Sequence, residues 1–171
     1  AMIFDLYMNP GGLLDAAVGI SSLFLDGGPV VYIKGRDTEP QSLKAAKGTL
    51  VGTDIPVVCL VGPGSASGSE IVAGALKDRD RATVVGQRTF GKSKVQTIIE
   101  LRDNSALFLS TAVYLTPNMT DIGLEDENGE RGLIPDRKFR EFDPEKDEEQ
   151  TVESWHELQI DQATEVLKEM M

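Results

Sequence analysis

One cysteine, one histidine and one tryptophan are all that 171 residues contain, and aromatic side chains make up 6% of the chain. A lone cysteine excludes an intrachain disulfide, and with a single histidine it leaves no Cys/His cluster for a metal. Cys59 lies in the apolar run Ile55-Pro56-Val57-Val58-Cys59-Leu60-Val61, where a thiol behaves as a small hydrophobe. His156 sits in a strongly acidic C-terminal segment, which argues against a Ser-His-Asp triad. No apolar run approaches the roughly 20 residues of a membrane-spanning helix, and the opening residues lack the pattern of a signal peptide. Positive charge is scarce as well: 17 Lys and Arg face 28 Asp and Glu, for a net charge of −11. Residues 1–120 carry 11 side chains of each sign, and residues 121–171 carry 17 acidic against 6 basic. Without a basic face to neutralise phosphates, nucleic acid is excluded as a partner. The acidic tail reads as a solvated surface.

What is present is enough for one globular domain, with 40% hydrophobic residues. Ala1-Met2 stands ahead of an abrupt apolar strand, an opening expected of a piece of a longer chain. Met2 to Met8 reads as a buried strand. Asn9-Pro10-Gly11-Gly12 is a turn opening a helix over Leu13–Leu25, with Leu13, Leu14, Ala17, Ile20 and Phe24 near one face. Pro29–Lys34 is strand-like, and the polar stretch 35–54 has a short helix expected near Ser42–Gly48. Ile55–Val61 is a second apolar strand, followed by a Gly-Pro-Gly loop and a helix from Ser67. Strand, glycine-rich turn and helix is the geometry that exposes a residue at a strand's carboxyl edge. Thr83–Gly86 reads as a short strand, Val95–Leu101 and Ala106–Leu115 as a hairpin about Asp103-Asn104, and Gly132–Asp136 as a last short strand or bend. Apolar residues spaced through Gln150–Met171 predict a helix with one docked face. The acidic run Glu141–Glu149 ahead of it reads as a mobile connection.

Two segments carry candidate chemistry. Gly64-Ser65-Ala66-Ser67-Gly68-Ser69-Glu70 places Ser67 where a helix begins, beside first-turn N–H groups and the positive end of the helix dipole. Local spacing serves two readings, because Ser67 and Glu70 also spell an S-x-x-E capping box. Lys92, between Gly91 and Ser93, is either an ordinary solvated lysine or a general base, and as a base it has to be uncharged, which calls for desolvation. Gly86-Gln87-Arg88-Thr89-Phe90-Gly91-Lys92-Ser93 also satisfies the P-loop pattern G-x-x-x-x-G-K-[ST]. That motif requires a subsequent helix to complete the phosphate site. Val95-Gln96-Thr97-Ile98-Ile99 is strand chemistry instead.

Read in order, these pieces resemble the C-terminal processing peptidases, or tail-specific proteases. The resemblance rests on Asp5-Leu6, Asn9-Pro10-Gly11-Gly12-Leu13-Leu14, Gly35-Arg36 and the stretch from Gly64 to Asp78. It continues through Arg81-Ala82, Val84-Val85-Gly86, Thr89-Phe90-Gly91-Lys92, Val95-Gln96, Tyr114-Leu115-Thr116-Pro117 and Gly132-Leu133-Ile134-Pro135-Asp136. The sequence departs from the family pattern at Tyr7-Met8, where arginine and a small or polar residue are usual, at Gly68 in place of alanine, and at Ser93 in place of glycine.

The resemblance implies an α/β fold, a crotonase-like or Clp-protease-like core of stacked β-β-α units over residues 1–140. Residues 141–171 would then form an acidic connection and a docking C-terminal helix. It implies a serine endopeptidase with Ser67 as nucleophile and Lys92 as general base, Gln96 orienting the lysine, and Asp78 as an acidic residue used by some relatives. The oxyanion hole would combine the N–H of Gly68 with that of Gly11 or Gly12. No cofactor or metal is implied. Substrates would be proteins or peptides with exposed C-terminal tails, gripped by a PDZ module that lies outside these residues, in a periplasmic, extracytoplasmic or membrane-associated setting.

Overall fold

The computed structural model describes residues 1–143, 145, 147 and 150–171. In chain order the elements are β1 (Met2–Asp5), α1 (Leu14–Ser22), β2 (Pro29–Gly35), β3 (Gln41–Lys44), β4 (Val57–Val61) and α2 (Gly68–Asp78). They continue with β5 (Thr83–Gly86), β6 (Lys94–Glu100), β7 (Ala106–Leu115), β8 (Arg137–Lys138) and α3 (Val152–Glu169). A parallel sheet has the order β1-β4-β5-β8, and an antiparallel sheet the order β3-β2-β7-β6. The α/β class expected from the sequence is the class that forms.

The position of β4 explains its composition. Val57, Cys59 and Val61 face a core shared with α1, α2 and β2, whereas Val58 and Leu60 face a second core closed by α3. A strand buried on both sides has no need of polar alternation, hence five apolar residues in a row. On the first side Ala17, Val30, Val31, Ile71, Ala75 and Leu76 interdigitate; on the second, Trp155, Ala163, Val166 and Leu167 cover the sheet. α2 lies between the two sheets, in contact with β2 and β5. Its N-terminus is thereby held at the carboxyl edge of β4.

Several elements differ from expectation. The segment expected as a helix near Ser42–Gly48 supplies a strand, β3, because β2 offers it a free edge: Val31 pairs with Leu43 and Ile33 with Gln41, and Leu43 packs on the core. β1 stops at Asp5, whose Oδ1 accepts the Tyr7 N–H at 2.9 Å and turns the chain, although the Leu6 N–H still reaches Leu60 O at 2.9 Å. α1 ends at Ser22, where Ser21 and Ser22 donate back to Ala17 and Val18 carbonyls. Leu13 and Ile20 are exposed rather than packed inward. Gly132–Asp136 is a bend, and the last strand begins after it at Arg137.

In the expected acidic connection, Pro144, Lys146, Glu148 and Glu149 lie outside the described residues. Asp147 takes a bidentate pair with Arg140 at 2.7 and 2.8 Å. Within α3, Trp155 donates to Tyr7 Oη at 2.9 Å; Val152 stays exposed, as does Met170 just past the helix. Among the described residues no helix is long and apolar enough to cross a membrane.

Candidate active site

The loop leaving β4 delivers three serines, and their surroundings separate them. Ser65 is fully buried; its hydroxyl donates to Leu6 O at 2.6 Å and accepts the Gly62 N–H at 2.9 Å, so it ties the loop to the end of β1. Ser69 is buried in the first turn of α2. Ser67 is half-buried and has φ 54° and ψ −116°. Left-handed backbone in a non-glycine residue is strained by about 1–3 kcal/mol, and such strain persists only where the surroundings enforce it.

Glu70 enforces it here. This fully buried carboxylate accepts the Ser67 N–H at 2.8 Å and the Lys92 N–H at 2.9 Å on Oε2. On Oε1 it accepts the Gly91 N–H at 2.7 Å and the Thr89 hydroxyl at 2.5 Å. A buried carboxylate saturated with donors satisfies its lone pairs and holds every donor in place. The capping box is present in outline, but the serine half is not a formed bond: the Glu70 N–H goes to Ser67 O at 2.9 Å, and Ser67 Oγ makes no cap hydrogen bond. The Ser67 hydroxyl thus stays beside the Glu70 N–H of the capping box, with no formed cap hydrogen bond.

Lys92 comes directly after Gly91, whose φ of +84° and crowding permit no side chain; a Cβ there would stand 2.5 Å from Arg131 Cβ and 2.7 Å from Gly132 N. The Lys92 side chain is exposed, and its amine makes no hydrogen bond or ion pair among the described residues. The burial expected of a basic lysine is thus not provided by the described residues. Ser93 leads into strand β6 rather than a helix, so the P-loop pattern has no helix N-terminus to complete it.

The Asn9-Pro10-Gly11-Gly12 turn packs directly on the start of α2. Gly11, at φ +94°, comes so close that a Cβ would lie 2.6 Å from Gly68 N and 3.0 Å from Ser67 Cβ. The Gly11 N–H is committed to Asn9 Oδ1 at 2.9 Å. No hydrogen bond engages the Gly12 or Gly68 N–H among the described residues. Beside these two groups opens a mainly apolar pocket whose lining includes Phe4, Leu6, Leu13, Ile20 and Val72.

Tyr114, near the end of β7, is buried beneath the site. Its hydroxyl interacts with the Ser67 side chain without reaching the geometry of a formed hydrogen bond, and no other partner takes it. Burial, reinforced by the negative charge of Glu70, pushes its pKa up.

The other residues singled out by sequence lie apart from Ser67 or touch nothing in the site. Gln96 is exposed on β6 at an irregularity in the ladder, with no hydrogen bond to Lys92. Asp78 closes the far end of α2, about 15 Å along an eleven-residue helix, and its Oδ2 accepts the Asn118 N–H at 2.8 Å. His156 Nε2 pairs with Asp5 Oδ2 at 2.7 Å and stacks on Tyr7; no serine hydroxyl is bonded to it among the described residues. Sequence reasoning saw Glu70 only as a cap partner and did not single out Thr89 or Tyr114 for the site. The S-x-x-E spacing was the available signal for Glu70. For Tyr114 the signal was the motif Tyr114-Leu115-Thr116-Pro117, which carries no role for the tyrosine.

Similarities to known proteins agree on the family of this chain. The model of Peptidase family S41 matches residues 1–139. A carboxy-terminal-processing protease of Bartonella bacilliformis is 44% identical over 145 residues, covering 84% of this chain and 32% of that protein. Carboxyl-terminal-processing peptidase 3, chloroplastic, of Arabidopsis thaliana is 46% identical over 135 residues, covering 78% and 25%. Among solved structures, a photosystem II D1 C-terminal processing protease superposes with a TM-score of 0.71 at 35% identity, over 80% of this chain and 34% of that one. The chain belongs to peptidase family S41. It spans about a quarter to a third of the length of the curated relatives it matches.

Proposed function

We propose that the chain is the catalytic part of a serine endopeptidase of the C-terminal-processing type, acting through Ser67 and Lys92. The Lys92 amine, in its uncharged form, takes the Ser67 hydroxyl proton as Oγ attacks a peptide carbonyl carbon. The N–H groups of Gly68 and Gly12 receive the oxyanion, Gly12 rather than Gly11 because the Gly11 N–H already serves Asn9. Collapse breaks the C–N bond, the proton passes from Lys92 to the leaving amine, and Lys92 then draws a proton from the water that releases the acyl group. Gln96 is assigned to orienting Lys92 by resemblance alone. Asp78 has a structural part in this scheme, holding the Asn118 turn.

The observation that carries the proposal is the Glu70 carboxylate, which binds the main chains of nucleophile and base through one oxygen. The apolar pocket beside the Gly12 and Gly68 N–H groups supports an apolar residue next to the scissile bond, as in an exposed apolar C-terminal tail. A PDZ module elsewhere in a longer protein would deliver such tails, and substrate or that added chain would cover the exposed Lys92. The exposure of Lys92 favours a second reading, in which residues 1–171 alone form a non-catalytic fragment. Fluorophosphonate labelling of Ser67 in this chain and in a longer protein carrying it separates the two, and in peptide hydrolysis by the longer protein Ser67→Ala and Lys92→Ala should each lower kcat at least about 10³-fold. Wild-type turnover in either variant overturns the dyad.

A further inference from the structure

We infer that Tyr114 is a positioning residue for the nucleophile: its hydroxyl, buried and without a formed hydrogen bond, serves Ser67 Oγ and selects the rotamer that turns the serine proton toward Lys92. The inference rests on the Ser67–Lys92 reading and gives a part in the site to Tyr114, which the resemblance includes in Tyr114-Leu115-Thr116-Pro117 without a role.

Tyr114 is 4% exposed, and its ring belongs to the main core together with Ile71, Ala75 and Ile122. A ring so placed needs no hydroxyl for packing. A buried hydroxyl without a partner is costly, and phenylalanine would fill the same space without that cost. The Ser67 side chain lies within reach of that oxygen, and the oxygen makes no formed hydrogen bond among the described residues. The strand is fixed to the base loop, since the Tyr114 N–H donates to Ser93 O at 2.9 Å, one residue beyond Lys92. Movement of that loop is therefore shared by Tyr114 and Lys92. The nearby Glu70 carboxylate has its oxygens filled by four donors and disfavours a tyrosinate beside it. The tyrosine thus keeps its proton and acts as a donor.

In the reaction the Ser67 proton passes to Lys92 Nζ, one Oγ lone pair forms the bond to the carbonyl carbon, and the other accepts from Tyr114. No proton leaves the tyrosine. Its contribution is to orientation, not to proton transfer.

The test is the reaction of this chain with a fluorophosphonate at about pH 9.5, where a larger share of lysine amines is uncharged, comparing wild type with Tyr114→Phe, Tyr32→Phe and Ser67→Ala. Tyr114→Phe should lower the inactivation rate constant about tenfold or more, with the inhibitor's KI unchanged and a Tm equal to or above that of wild type. Tyr32→Phe, in strand β2 and with no part assigned to it in the site, should match wild type. An unchanged rate constant in Tyr114→Phe, with wild type labelled on Ser67, overturns the inference and leaves the Ser67–Lys92 reading standing. A slower rate accompanied by a Tm several degrees lower, or a change confined to KI, also overturns it, since the hydroxyl would then serve the fold or the inhibitor site. Labelling that persists in Ser67→Ala removes the underlying reading and this inference with it; where residues 1–171 alone do not label, the same comparison is read in a longer protein carrying the chain, and failure to label there removes both.

Discussion

Ser67 and Lys92 are joined through a single atom, Glu70 Oε2, which accepts the N–H of the first at 2.8 Å and of the second at 2.9 Å. The separation of the two main chains is thereby set by one buried carboxylate. The same carboxylate holds Ser67 at its positive φ.

Glu70→Gln tests this frame. An amide group would turn a donor toward the Gly91 N–H and the Thr89 hydroxyl, so at least one buried bond is lost. Losing a charged acceptor in the interior costs about 3 kcal/mol. Chemical denaturation should show a loss of that order, together with loss of any serine reactivity. A variant of wild-type stability would mean that the bonds to Glu70 are not what fixes Ser67.

Gln159 offers the opposite case. It is fully buried in α3, and among the described residues neither its Oε1 nor its Nε2 has a hydrogen-bond partner. Gln159→Leu removes both unpaired groups at little change in shape, and an increase of about 1–3 kcal/mol in unfolding free energy is expected. Thermal unfolding reads it as a higher Tm; a fall would show that the amide is satisfied in solution.

Cys59 should be inert. Burial first, and the charge of Asp5 second, push its thiol up to about 12 from an ordinary 9.0. The folded chain should resist iodoacetamide near pH 8 and react only on unfolding. The linkage has a definite sign: up to about pH 9 the thiol is protonated in both states, and above it the unfolded chain loses the proton first. Stability therefore falls between pH 9 and 12, to which the raised Tyr114 adds in the same direction. Rapid alkylation of the native chain at pH 8 would contradict the burial.

Elements with a strong local signal were legible in the sequence. The run at β4, the break at Gly62-Pro63-Gly64 and the periodicity of α2 each arise from near neighbours, and so does the turn at Asp103-Asn104. β3 was not legible, because residues 41–44 become a strand only through pairing with β2, a partner supplied by tertiary structure. Leu13 and Ile20 fit a helical face yet stand in the open beside the pocket, since periodicity does not show which part of a face meets the core. For the candidate site, Ser67, Lys92 and the glycine turns were singled out by motif. The partners of Glu70 were hidden, being 19 to 22 residues away in the case of Thr89, Gly91 and Lys92. Tyr114 meets Ser67 across the fold, and no spacing announces that.

The most direct measurement is mass spectrometry of the chain after fluorophosphonate treatment at about pH 9.5. A Ser67–Lys92 dyad requires a single adduct on Ser67 that is absent from Ser67→Ala and strongly reduced in Lys92→Ala, with both variants folded. Adducts on other serines, or equal labelling of Ser67 with and without Lys92, would contradict it.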